Sequence, residues 1–223
     1  MQYRHEVKHE ISYSDMLQIK ARLDAVARPD PHAKDGTYLI RSLYFDTLND
    51  KALREKINGI SQREKFRIRF YDNDLSVIRL EKKCKVRDLG YKLSCPLSEQ
   101  EVRRLLEGDI SWMATNERPL AADLYRSMII EGLRPKSIVE YRRRPYIFDA
   151  GNVRVTFDYQ IRTSSSPEDF LIPDCPLIPA EDSPILLEVK WDDFLPSIIQ
   201  SCIQQKNRRA CGFSKYAASR TLD

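Results

Sequence analysis

Between Lys65 and Tyr71 the chain reads KFRIRFY, with large apolar residues at every second position and basic residues between them. Side chains alternate across a β-strand, so this segment has two faces of opposite character. Phe66, Ile68 and Phe70 share one face, leaving Arg67 and Arg69 on the other. The same division recurs along the chain. In residues 77–85, Ile78, Leu80 and Cys84 oppose Arg79, Glu81, Lys83 and Lys85. In 153–158, Val153, Val155 and Phe157 oppose Arg154, Thr156 and Asp158. In 185–191, Ile185, Leu187, Val189 and Trp191 oppose Leu186, Glu188 and Lys190. Residues 3–12 set Tyr3, Val7 and Ile11 against Arg4, Glu6, Lys8 and Glu10, and Lys92 lies on the polar face of 91–96. With strands at 39–46, 63–71, 137–148 and 153–162, the set comes to about eight, which fits an antiparallel barrel.

Helices are expected at 13–26, 49–57, 98–106, 121–133, 195–205 and 214–221, the third opening on the capping-box pattern Ser98-Glu99-Gln100-Glu101. Asp149-Ala150-Gly151-Asn152 supplies turn chemistry between two strands, and Asp88-Leu89-Gly90 joins two more. Residues 164–184, rich in Ser and Pro, read as one long surface loop. Nothing resembles a linker, so the expectation is an α+β fold in a single domain over residues 1–223.

The polar faces together carry ten cations, namely Arg4, Lys8, Arg67, Arg69, Arg79, Lys83, Lys85, Lys92, Arg154 and Lys190, against five carboxylates, Glu6, Glu10, Glu81, Asp158 and Glu188. The whole chain is only +4, so positive charge is concentrated on one side of one sheet. Two arrangements satisfy this pattern. In one, the charged face of an amphipathic sheet lies in water. In the other, the apolar faces point outward beneath the helices and the charged faces line a central tunnel. The second gives the apolar helix stripes a place to dock, and it explains why Arg and Lys outnumber Ser, Thr, Asn and Gln on the polar faces. Such a tunnel repels itself when empty, so carboxylates and a polyanion must offset the field. Arginine forks fit phosphate oxygens, and lysine adds movable point charge.

Other chemistries find little support. Five cysteines without CxxC spacing indicate free thiols rather than a disulfide framework or zinc site. The first residues are polar, and no apolar run approaches the roughly 20 residues of a membrane span. A cytoplasmic location is expected, and a membrane role would require a partner protein. His5 and His9 fall on the apolar-face parity, His32 lies in a Pro-rich loop, and no P-loop or GxGxxG occurs. Nucleic-acid binders interleave exposed aromatics with basic residues, whereas Phe66 and Phe70 here oppose Arg67 and Arg69.

Eight segments in order carry a resemblance to a known family: Glu6-Val7-Lys8, Ser42-Leu43-Tyr44-Phe45-Asp46, Phe66-Arg67-Ile68-Arg69-Phe70-Tyr71, Leu80-Glu81-Lys82-Lys83, Gly90-Tyr91-Lys92, Val153-Arg154-Val155, Leu187-Glu188-Val189-Lys190 and Phe213-Ser214-Lys215-Tyr216. Singly each is weak; as an ordered set spanning nearly the whole chain they resemble the VTC domain, the polyphosphate-polymerase branch of the triphosphate tunnel metalloenzymes. The resemblance implies an eight-stranded antiparallel β-barrel tunnel with helices packed outside. It implies transfer of the ATP γ-phosphate to inorganic polyphosphate, with a divalent metal such as Mn2+ or Mg2+. Carried over by position, Lys8, Arg67, Arg69, Lys83, Lys92, Arg143, Arg154, Lys190 and Lys215 would grip the phosphates. Arg67, Arg69, Lys83, Arg154 and Glu188 would form the catalytic set, and Glu188, with Glu6 assisting, would hold the metal. Arg143 rests on the resemblance, because Tyr141-Arg142-Arg143-Arg144 can present either face. Related hydrolases and cyclases open with ExExK, whereas Arg4 makes the pattern here RxExK. A triphosphatase, with water as nucleophile, and a non-catalytic polyphosphate-binding accessory module are the alternatives.

Overall fold

The computed structural model describes residues 4–86, 89–180, 184–204 and 212–220. One large antiparallel sheet dominates it. The strands are β1 (His5–Ile11), β2 (Arg28–Pro29), β3 (Tyr38–Asp46), β4 (Gln62–Tyr71), β5 (Asp74–Val86), β6 (Leu89–Leu97), β7 (Arg134–Phe148), β8 (Val153–Ser164), β9 (Ile178–Pro179) and β10 (Ile185–Trp191). Eight run side by side in the order β1-β10-β8-β7-β3-β4-β5-β6, while β2 pairs with β7 and β9 with β8. The six helices among the described residues are α1 (Tyr13–Val26), α2 (Lys51–Ile57), α3 (Glu99–Leu106), α4 (Pro119–Glu131), α5 (Ser197–Ile203) and α6 (Lys215–Ala218). Tyr3, Asp88, Gln205, Cys211 and Thr221, which figure in the expectations above, lie outside the described residues.

Local chemistry accounts for the principal turns. Ser98 caps α3 through the Glu101 amide while the Glu101 carboxylate returns to the Ser98 amide, and Ser12 and Asp15 do the same for α1. β4 and β5 are joined by Asp72-Asn73, both at positive φ, the conformation that suits the twist of a two-residue hairpin. The described residues of 164–184 hold more regular structure than the expected surface loop. They include a 3-10 turn at Pro167–Leu171, whose Phe170 and Leu171 are buried, and the short strand β9.

The apolar faces point outward, under the helices. Phe66, Ile68, Phe70, Ile78 and Leu80 pack with Val102 and Leu105 of α3 and Leu120, Ala121 and Leu124 of α4. Val153, Val155, Phe157, Leu187 and Val189 pack with Met16, Ile19 and Leu23 of α1 and Ile199 and Cys202 of α5. The sheet is therefore turned inside out, with its charged side concave.

The expected closed barrel is not formed. Among the described residues, edge strands β1 and β6 share no ladder and meet at one antiparallel bridge, Arg4 to Gly90. Side-chain charge spans the seam instead, Lys83 of β5 donating to Glu6 of β1 at 2.8 Å. Strict alternation also fails in β8, where the register with β7 shifts between Glu140 and Arg142 and Gln160 takes φ 52°. An extra residue exchanges the faces beyond it. Ile161 thus turns inward, and Arg162 reaches Glu140 on the outer side.

That inward turn helps build a third core inside the curl of the sheet. Tyr38, Ile40, Tyr44, Val139, Tyr141, Ile161, Ala180 and Leu186 surround Tyr216 of α6. Asp46, fully buried, anchors this plug: it accepts the Tyr216 hydroxyl at 2.5 Å and the amides of Ala52 and Leu53 of α2 at 2.8 and 3.1 Å. Replacing Tyr216→Phe removes one bond from a buried carboxylate. The unfolding free energy, read from the denaturant midpoint, is expected to fall by about 1–3 kcal/mol.

Candidate functional site

The concave face encloses a cavity of about 620 Å³. Among the described residues fourteen Lys and Arg side chains line it, against three carboxylates, Glu6, Glu64 and Glu188. All eleven residues singled out from the sequence as site residues are in that lining: Lys8, Arg67, Arg69, Lys83, Lys92, Arg143, Arg154, Lys190, Lys215, Glu6 and Glu188. Arg4 and Lys85 of the polar faces also line it, whereas Arg79 and Glu10 are exposed elsewhere. Ile68 and Val155 sit in the outer cores, on the far side of the sheet.

Beneath the cations lies a layer of buried carboxylates. Glu81 accepts both Nε and Nη2 of Arg67, at 2.7 and 2.6 Å, and the Lys92 ammonium at 2.7 Å. Asp158 is fully buried and takes the Arg143 fork at 2.6 and 2.7 Å and Lys215 at 2.5 Å. Arg143 therefore projects inward, which settles the ambiguity of its triplet. Burial opposes ionisation of both carboxyls, but Arg67, Arg69 and Lys92 hold Glu81 below its ordinary range, and Arg143 and Lys215 do the same for Asp158. Arg69 is oriented by Ser42 at 3.0 Å and by the Tyr141 hydroxyl at 3.1 Å.

Glu6 and Glu188 form the second acidic group. Lys190 pairs with Glu188 and stands 3.7 Å from Glu6, while Glu6 also holds Lys8 and Lys83 at 2.8 Å each. Despite burial, Lys190, Lys8 and Arg143 keep Glu188 well below the carboxylate range. Among the described residues no group of three or more His, Cys, Asp or Glu side chains is placed to hold a metal ion. Two carboxylates sharing one ammonium do fit a hard divalent cation that takes one or two protein oxygens and completes its shell with phosphate and water. A cation there would replace the charge that Lys190 now supplies.

Alternation extended by one residue would have added Lys65, which shares the parity of Arg67 and Arg69 and lines the cavity. Its ammonium lies 5.5 Å from the Tyr44 ring centroid. Burial pushes Lys65 down to about 7, with Lys83, Lys8 and Arg67 adding to the effect and Tyr44 opposing it. For Tyr44 itself, burial would raise the phenol, but Arg67, Lys65 and Arg69 bring it down to about 7. Burial, reinforced by Lys8 and Lys190, brings Lys83 to about 8 against the pull of Glu6 and Glu188. The tyrosines Tyr38, Tyr44, Tyr71 and Tyr141 also line the cavity; no periodic signal distinguished them from core residues.

In all three shifted groups the folded value lies below the ordinary value near 10. The unfolded chain therefore binds more protons between about pH 7 and 10, and stability rises with pH across that window. The melting temperature of the free protein is expected to be higher at pH 9 than at pH 7. A bound polyanion reverses the shifts. Calorimetric titration with inorganic triphosphate at pH 8, in buffers of different ionisation enthalpy, should show net proton uptake; net release would contradict the charge balance described.

The VTC domain profile matches residues 3–222 of the chain. Among solved structures, a Bacillus halodurans protein provisionally assigned as an adenylate cyclase has a TM-score of 0.51 at 15% identity, covering 92% of this chain and 88% of that one. A Pyrococcus horikoshii protein has a TM-score of 0.43 at 14% identity, covering 90% and 85%. A Vibrio parahaemolyticus protein, also provisionally assigned as an adenylate cyclase, has 0.45 at 8% identity, covering 90% and 82%. At such identities the Bacillus likeness speaks for the fold alone. No curated protein is significantly similar in sequence.

Proposed function

The chain belongs to the VTC-domain family, and on that premise we propose that it is a polyphosphate polymerase, moving the γ-phosphate of ATP onto inorganic polyphosphate within the cationic cavity. One observation carries this reading: among the described residues fourteen cations and three carboxylates converge on one cavity, and even with Glu81 and Asp158 paired in the wall behind them the cations remain in excess, which suits a multiply charged anion. Arg67, Arg69, Lys83 and Arg154 would neutralise the non-bridging oxygens of the transferred group, with Lys8, Lys92, Arg143, Lys190 and Lys215 holding the phosphates before and after it. The terminal phosphate oxygen of the acceptor chain attacks the γ-phosphorus, the bond to the β-phosphate oxygen breaks, and ADP leaves with that electron pair. Glu188, assisted by Glu6, would hold Mn2+ or Mg2+, which supplies further neutralisation of phosphate oxygens.

The carboxylates bear on the choice of nucleophile. A hydrolase needs a base to take a proton from water, and a carboxylate kept far below neutrality is a poor one. Glu188 is such a group. An acceptor that arrives already ionised requires no base, which favours phosphate over water.

Incubation with ATP and Mn2+, followed by sizing of the product, tests the proposal. A ladder of long polyphosphate is expected, and orthophosphate alone would replace the polymerase reading with the triphosphatase one. Glu188→Gln should reduce turnover by about 100-fold or more while triphosphate still binds. A wild-type protein that binds polyphosphate and never extends it would be an accessory binding module.

A further inference from the structure

Two polar atoms on the β8 side of the cavity lack what buried polar groups ordinarily have. Thr156 is 3% exposed, and its hydroxyl makes no hydrogen bond. Two residues back, Nη2 of Arg154 donates to Asp30 at 2.8 Å and to the Tyr38 hydroxyl at 2.5 Å, but its Nε is buried without a partner. Both residues line the cavity, although the two atoms themselves expose almost no surface in the free protein, so a ligand would meet them only after neighbouring groups shift. Native proteins pair nearly all such groups, and leaving one unpaired costs free energy. Here the two occur on the same face of one strand, in a cavity surrounded by positive charge.

Their neighbours define what fits. Thr156 lies opposite Glu188 in the β10–β8 register and Arg154 lies opposite Lys190, while Lys8 of β1 faces Glu188 from the other side. Residues i and i+2 on one strand face are about 7 Å apart. That span suits a single phosphoryl group accepting one bond from each end. A carboxylate of the protein does not fill the position, and a guanidinium N–H can only donate, so the partner it lacks is an acceptor oxygen.

We infer that Thr156 is a phosphate-contacting residue: its hydroxyl joins the Arg154 Nε in contacting one phosphoryl group beside Glu188. The inference rests on the polyanion reading above and adds to it a neutral, hydroxyl-based contact. Thr156 stays unpaired in the free protein and is satisfied only when the phosphoryl group arrives.

Inorganic triphosphate, titrated without metal into the wild type, Thr156→Val and Thr156→Ser, tests the assignment. The valine variant keeps the shape and loses the hydroxyl, and about tenfold weaker binding is expected from losing one bond to a charged group. The serine variant should bind within about threefold of the wild type. In the absence of ligand, the melting temperature of Thr156→Val should be unchanged or higher, because an unpaired hydroxyl has been removed. A valine variant that binds as tightly as the wild type would overturn the inference, as would a lower melting temperature or equal losses in the two variants. A wild type that fails to bind triphosphate would overturn the polyanion reading itself, and the Thr156 contact with it.

Discussion

Like charges crowded into one poorly solvated cavity repel, and much of the architecture bears on how this chain tolerates that repulsion. Burial alone would discharge the lysines, and Lys65 and Lys83 show the effect. Lys8 is raised rather than lowered, since Glu188 and Glu6 outweigh its burial. Glu81 and Asp158 are placed under the arginines rather than among the cavity's free surface, so they fix the guanidinium forks without blocking the space in front of them. The result is a layered charge distribution: anions in the wall, cations on the lining, and room for an anion in the middle.

The helices outside and the plug inside follow from the same arrangement. With the polar side turned inward, the outward side must be covered, and α1, α3, α4 and α5 cover it. The interior is not polar throughout: Tyr216, Tyr44, Tyr141 and Leu186 pack together there as aromatic and aliphatic surface. The tyrosines add hydroxyls that Arg67 and Arg69 can use, at 3.4 Å from Tyr44 and 3.1 Å from Tyr141.

What could be read from the sequence was whatever alternation records. Strand parity separates Phe66, Ile68, Val155 and Val189 from Arg67, Arg69, Lys83 and Lys190, while it is the need of the apolar helix stripes for a docking face that turns the second set inward. Parity says nothing of position along a strand, so Arg79 shares a face with Lys83 yet lies outside the cavity. It also fails wherever the register slips. The bulge at Gln160 exchanges the faces of β8, and no residue type nearby announces it. Arg143 could be aimed only once Asp158 was placed across from it. The orphaned hydroxyl of Thr156 is a property of its surroundings, invisible in a string of letters. Closure of the sheet was likewise beyond reach, because it depends on how far each strand pair twists.

That seam has a mechanical consequence. A fully laddered cylinder has a fixed circumference, since widening it anywhere breaks a row of backbone bonds at once. Here, among the described residues, the edges β1 and β6 touch at one peptide pair, with the Glu6–Lys83 contact beside it. For those residues, parting one bridge and one ion pair would change the girth of the chamber while every ladder elsewhere stays intact. Ions in the surrounding medium compete for that ion pair directly, so the waist of this chain is expected to loosen in concentrated salt.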